Sequence, residues 1–168
     1  PGEAALGPWG LDVNRGDPIE LLLGLEGPRP DTFLLAGRYT LLDHSKALQR
    51  VMPQVAARGL GIVVGGPYSS GALVGGPNFE YAPATPQILA KVQAIKAIAD
   101  RHGVSMKSAG LQSDVAHPAV PAATRGARRP DRIAEARAAF EAVVPQDFWR
   151  ELRQAGLVQA DAPLPHGI

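Results

Sequence analysis

The stretch "GIVVGGPYSSGAL", Gly61 to Leu73, decides how the rest of the chain is read. Ile62, Val63 and Val64 form a short β-branched run that reads as a buried strand. It gives way to a segment of small side chains, two hydroxyls and open backbone. Gly65, Gly66 and Gly71 let a ligand or another backbone approach closely, and Ser69, Ser70 and spare N–H groups can donate to phosphate oxygens. Tyr68 can lay its ring against a planar ligand. A Gly/Pro turn chosen for its backbone geometry accounts for the same residue types. Gly59, Gly61 and Gly65 loosely echo a dinucleotide fingerprint, but that motif follows a strand, and here two of the glycines precede it.

Outward from this strand, short apolar runs alternate with longer amphipathic ones. "WGLDV" (Trp9 to Val13) and "TFLLAGRY" (Thr32 to Tyr39) read as strands; "PIELLLGL" (Pro18 to Leu25) reads as a helix. Ser45 to Arg58 reads as a helix kinked at Pro53. The clearest helix is Pro86 to His102, with Ile88, Val92, Ile95 and Ile98 at helical spacing, Thr85 as N-cap and Gly103 as stop. A short helix near Ser105 to Val115 precedes "AVPAAT" (Ala119 to Thr124), a strand weakened by Pro121. Pro130 to Val144 then forms a helix with Ile133, Ala136, Phe140 and Val144 on one face. Residues 145–168, rich in Pro, are expected to be an irregular tail.

Four strand-then-helix units imply parallel strands and right-handed crossovers in an α/β fold. An open doubly wound sheet fits this order, and so does part of a (β/α)8 TIM barrel. A complete barrel needs about 250 residues and eight such units; these 168 residues, read as a single domain over 1–168, supply about half. Seventeen basic and sixteen acidic residues leave a net charge of +1, which gives no reason to expect nucleic acid or an anionic membrane as partner. The absence of cysteine removes disulfides, thiolate metal sites and a cysteine nucleophile together. With no apolar run near ~20 residues and no signal peptide at Pro1, the expected location is cytoplasmic. The chain starts at Pro1 rather than Met, so residues upstream are expected.

In parallel α/β folds ligands sit where the strands run out. Besides Gly61 to Leu73, one other such place stands out: "TRGARRPDRIAEARAAF", Thr124 to Phe140. Arg125, Arg128, Arg129 and Arg132 gather where a strand yields to a helix N-terminus, a combination suited to phosphate, though a solvated basic face has the same composition. Asn14, ending the first strand, can hold a carboxamide by donating and accepting at once, or simply make a turn. Arg38 and Tyr39 read as a snorkelling Arg beside a core Tyr. His44, His102, His117 and His166 have no metal-ligand spacing, so no metal is expected. No Ser/His/Asp set or carboxylate pair is assembled, and no catalytic residue is assigned.

"FLLAGRYTLLD", "GIVVGGPYSSGALVGG" and "HPAVPAATRGARRPDRIAEARAAF", in that order, resemble the C-terminal half of the aldo/keto reductase family, in its sugar and pyridoxal dehydrogenase branch (D-threo-aldose, L-fucose and pyridoxal dehydrogenases). "VPQDFWRELRQAGLV" extends the match, which runs from about Leu11 to Pro163. The resemblance implies a (β/α)8 barrel of which this chain holds strands five to eight. It implies NAD or NADP lying across the C-terminal mouth, and hydride transfer with a sugar or pyridoxal-like substrate. By resemblance Asn14 holds the nicotinamide carboxamide. Gly66, Pro67, Tyr68, Ser69 and Gly71 surround the pyrophosphate. Gly126, Ala127, Arg128, Arg132 and Glu135 contact the adenosine ribose and adenine. Four positions depart from the family pattern: Ala36 where many members have a carboxamide-binding Gln, Gly65 where many have a stacking aromatic ring, Gly126 where NADP users often have Lys, and Ala136 where Asn usually reads adenine. The family's Asp, Tyr, Lys and His tetrad comes from the first four strands and matches nothing here.

Four strands in an arc would leave two unpaired edges and a wet inner face. The expected remedy is an N-terminal half-barrel; the other is a second copy of the chain, which as a non-catalytic binding module would close the barrel by two-fold symmetry.

Overall fold

In the computed structural model, which describes residues 7–127 and 129–165, the β-branched and aromatic runs form β1 (Gly10–Val13), β2 (Thr32–Ala36) and β3 (Gly61–Gly65). β4 (Asn78–Phe79) and β5 (Ala82–Pro83) make a separate antiparallel hairpin, and β6 (Ala122–Thr124) returns to the main sheet. That sheet is parallel throughout, in the order β1-β2-β3-β6. The helices are α1 (Asp17–Gly24), α2 (Met52–Ala56), α3 (Pro86–His102), α4 (Met106–Asp114), α5 (Pro130–Glu141) and α6 (Gln146–Gln154).

Side chains alternate across a strand, so each strand presents one set of residues to each face. Phe33, Leu35, Ile62 and Val64 are completely buried beneath Ile19, Leu23, Met52 and Val55 of the helical layer. Their neighbours Leu34 and Val63 face the other way and remain half-buried. A second core, under α3, α4 and α6, gathers Ile95, Ala99, Phe148, Trp149 and Leu152 around Leu41 and Leu73. Phe148 and Trp149 meet edge to face, with ring centroids 4.8 Å apart.

Local chemistry explains the helix limits. Thr85 caps α3 by accepting from the Ile88 N–H at 3.4 Å, Pro86 occupies the first turn, and Gly103 ends the helix in the left-handed conformation. Where the sequence suggests a kink at Pro53, a π-helical stretch, Ala47–Val51, leads into α2 and puts the proline in a first turn, where its missing N–H has no intrahelical role.

Two readings of the sequence need correction. Gln146–Gln154 is helical rather than irregular, because Phe148, Trp149 and Leu152 share one buried stripe and Pro145 stands just before the first turn. The expected buried face of α5 is mostly wet: Ile133 and Phe140 are exposed, and Ala139 is the buried residue of that helix. No helix among the described residues is long and apolar enough to cross a membrane.

Candidate functional site

β3 and β6 are hydrogen-bonded neighbours running the same way, so the loops that follow them emerge at one rim. The Gly66 N–H donates to Thr124 O at 3.3 Å, and the Arg125 guanidinium lies 5.3 Å from the centre of the Tyr68 ring. The two stretches singled out in the sequence are therefore in contact. That contact uses a face of the Tyr68 ring that a ligand would otherwise have. The Tyr68 hydroxyl and Arg125 Nη1 are buried without hydrogen-bond partners among the described residues, the kind of orphan pair that an added polar group would satisfy. Burial raises the Tyr68 phenol above its ordinary range.

The loop after β3 is held in an uncommon shape. Ser69 and Ser70, neither of them glycine, adopt φ of 49° and 57°, between Gly66 at 65° and Gly71 at 97°. Left-handed non-glycine residues persist only where their surroundings over-determine them, and they concentrate at ligand-binding sites. Here the constraints are visible. Ser69 Oγ is 2.9 Å from Thr40 Oγ1, both buried, and Ser70 Oγ accepts from the Tyr81 N–H at 3.1 Å. α4 presses on the loop from behind at Gly110, where a Cβ would come within 2.7 Å of Leu73 and 3.3 Å of Pro67 O.

Two cavities flank this rim. One, of about 260 Å³, is lined by Asn14, Ala36, Gly66, Ser69, Ser70 and Tyr81, so it sits at the ends of β1, β2 and β3. The other, an apolar groove of about 660 Å³, runs from Leu73 and Val74 past Met106 to Glu135 and Ala139 on α5. Asn14 is exposed, and its carbonyl accepts from Arg38 Nε at 3.0 Å. Gly126 and Ala127 are exposed beyond β6. Arg132 donates to Glu135 at 3.0 Å, and Lys107 of α4 pairs with the same carboxylate. These hydrogen bonds from Lys107 and Arg132 hold the Glu135 carboxyl below the ordinary range. Arg129 forks onto Asp131 at 2.8 and 3.0 Å. Arg128 and His166 lie outside the described residues.

Tyr39 is core, as the sequence suggested; Arg38 does more than snorkel. Besides Asn14 it engages Glu80 at the tip of the β4–β5 hairpin and Asp43 at 3.5 Å. The hairpin residues Glu80 and Tyr81, together with Arg38 and Lys107, are the site residues that sequence reasoning missed. The last two are recruited through ion pairs with residues 42 and 28 positions away, which no local pattern signals. Among the described residues no group of His, Cys, Asp or Glu is placed to hold a metal ion.

A model of the aldo/keto reductase family matches residues 19–156. Pyridoxal 4-dehydrogenase from Microbacterium luteolum is 34% identical over 154 residues, covering 89% of this chain and 44% of that protein. D-threo-aldose 1-dehydrogenase from Pseudomonas sp is 28% identical over 133 residues, covering 76% of this chain and 40% of that one. The solved aldo-keto reductase AKR11C1 from Bacillus halodurans aligns over 92% of this chain at 18% identity. The TM-score is 0.64 for its holo form and 0.66 for its apo form, over 51% and 52% of its length. At that identity the structural likeness speaks for the fold, which is a partial barrel. The chain spans about half the length of the relatives it matches.

Proposed function

The chain belongs to the aldo/keto reductase family, and from that premise we propose that it carries the nicotinamide dinucleotide-binding half of an NAD- or NADP-dependent dehydrogenase acting on a sugar or pyridoxal-like alcohol or carbonyl. The observation that carries this reading is the contact between the loops after β3 and β6 at one rim, flanked by a cavity on each side. A dinucleotide needs a carboxamide partner at one end, donors for its pyrophosphate in the middle, and an apolar slot for adenine at the other. Asn14 offers the first. With the Gly66, Ser69 and Gly71 N–H groups already bonded to backbone carbonyls, the N–H groups of Tyr68 and Ser70 and the Ser70 hydroxyl would offer the second, with Pro67 shaping the turn and Tyr68 backing it. The groove that ends at Glu135 would offer the third; Arg132 reaches it through its bond to Glu135, and Gly126 and Ala127 lie on the exposed stretch between β6 and α5.

The bound cofactor would accept or deliver hydride at the carbon of the reacting alcohol or carbonyl. This chain's own residues bind, orient and exclude water; they move no proton in this reading. The acid–base groups would come from the N-terminal half-barrel of the same protein, which would also cover the partly buried inner face of β2 and β3. Apolar residues at both ends of the arc support such a partner: Leu21 and Leu25 of the α1 region, and Ile133 and Phe140 of α5, are all exposed.

Calorimetric titration of the intact protein with NAD and NADP tests the proposal, together with the absorbance of reduced nicotinamide during incubation with sugar and pyridoxal-type alcohols. Binding in the micromolar range, weakened at least tenfold by Gly66→Val, is the expected result. Absence of binding to either dinucleotide refutes the reading.

A further inference from the structure

Position 65 is crowded even for a Cβ. A Cβ there would lie 3.0 Å from Leu34 Cδ2 and 3.3 Å from both Cα and Cβ of Ala36, so the end of β3 is packed against β2. The cavity beyond that point nevertheless has an aromatic residue at its rim, supplied from elsewhere. Tyr81, at the tip of the β4–β5 hairpin, lines the same cavity as Asn14 and is 83% exposed.

The hairpin tip is costly to build. Glu80 and Tyr81 form its two-residue loop with φ of 50° and 65°, positions that normally call for Asn, Asp or Gly. Two contacts enforce that shape, and both come from the cavity's own walls. Glu80 pairs with Arg38, Arg38 in turn holds the carbonyl of Asn14, and the Tyr81 N–H is tied to Ser70 Oγ. A strained turn braced at two points holds a large aromatic side chain that is itself left mostly bare. Strain of this kind fits a side chain kept in place for a ligand.

Resting on the dinucleotide reading above, we propose that Tyr81 is the aromatic wall of this cavity and stacks on the nicotinamide ring, the contact that Gly65 cannot provide. Asn14 would take the carboxamide while the phenol ring of Tyr81 covers a face of the heterocycle; the Arg38–Glu80 pair is then a positioning element that fixes the hairpin. The hydroxyl is not needed, so Phe should serve as well as Tyr.

The test compares NAD with ADP-ribose, which keeps the pyrophosphate and adenosine but lacks nicotinamide, on the intact protein and its Tyr81→Ala and Tyr81→Phe variants. Tyr81→Ala should weaken NAD roughly tenfold, in line with the worth of one ring stacked on an aromatic side chain. It should leave ADP-ribose unchanged, which also shows that the variant is folded. Tyr81→Phe should bind both as the unsubstituted protein does. If Tyr81→Ala binds NAD normally, the assignment falls and the dinucleotide reading stands. If both ligands weaken equally, Tyr81 serves only to hold the loop, and the stacking role falls. If the unsubstituted protein binds neither ligand, both proposals fall together.

Discussion

On the helix-covered face of the parallel sheet, Phe33, Leu35, Ile62 and Val64 are completely buried. On the opposite face Leu34 and Val63, one residue along the same two strands, are only partly buried, and Asp12 is open to solvent. The strands are common to both faces, so the difference lies in what covers each. Parallel sheets are normally covered on both sides. The chain covers its outer layer with its own helices and leaves the inner layer only partly buried, as the proposed half-barrel partner would require. The two faces therefore contribute differently: the outer one stabilises this chain, and the inner one, in the proposed reading, serves an assembly.

The sharpest way to break that contrast is to truncate adjacent residues. Phe33→Ala should cost about 3–5 kcal/mol, since it empties a filled site in the outer core. Leu34→Ala should cost less, about 1–2 kcal/mol in this chain by itself, because part of that side chain is already wet. Denaturant midpoints measure both. Equal costs would mean that the inner face is packed after all.

Much of the fold was legible because period and punctuation agreed. The end residues of α3 came directly from Thr85, Pro86 and Gly103, and β3 from a β-branched run between glycines. α6 was hidden by the prolines around it, although Phe148, Trp149 and Leu152 already had helical spacing. The hairpin was hidden for a different reason: Glu80 and Tyr81 are poor residues for the turn they make. The loops of the candidate site were readable from their Gly, Ser and Arg content. Arg38, Lys107 and Tyr81 were not, since their relevance depends on tertiary contacts.

The outer side is not uniformly apolar, and its buried polar groups sharpen the contrast next. His44 Nδ1–H donates to Thr40 O at 3.0 Å, and its Nε2 accepts from the Gln159 N–H at 3.1 Å, so the neutral ring pins the C-terminal segment to the loop after β2. Burial, with Lys91 adding to it and Asp43 and Asp161 opposing, holds His44 below the ordinary histidine range; burial does the same to His117. A histidine whose native value is depressed gives stability that is present above about pH 6.5 and is lost as pH falls through the native value. His44→Ala should cost about 1–3 kcal/mol near neutrality and reduce that acid-side loss, leaving the part due to His117. Melting curves across this pH range would detect both effects.

Asp114 should respond with the opposite sign. Its carboxyl is almost fully buried, Oδ2 has no partner among the described residues, and burial raises it well above the ordinary range. Its contribution is therefore favourable below about pH 4, where it is protonated in both states, and is lost as pH rises toward the native value. Asp114→Asn should raise the melting temperature by a few degrees at neutral pH and make no difference near about pH 4. A neutral-pH melting temperature that drops instead would mean that the charged form is used.

The smallest effect is expected where the contrast is most exposed. Ile133 and Phe140 are 64% and 50% exposed on α5, at the end of the arc where β6 leaves an open edge. Substituting both with Ser removes apolar surface that this chain does not bury, so its own stability should change by less than about 0.5 kcal/mol. The same change should weaken docking with the N-terminal half-barrel, where these side chains would be covered at about 25 cal/mol per Å² of apolar area. Expressing the two halves separately and measuring their association by sedimentation distinguishes the cases. If the double variant loses affinity and keeps its melting temperature, the open face is an interface. If it keeps both, the α5 surface is ordinary solvent-facing helix, and the proposed partner half would have to meet the arc elsewhere.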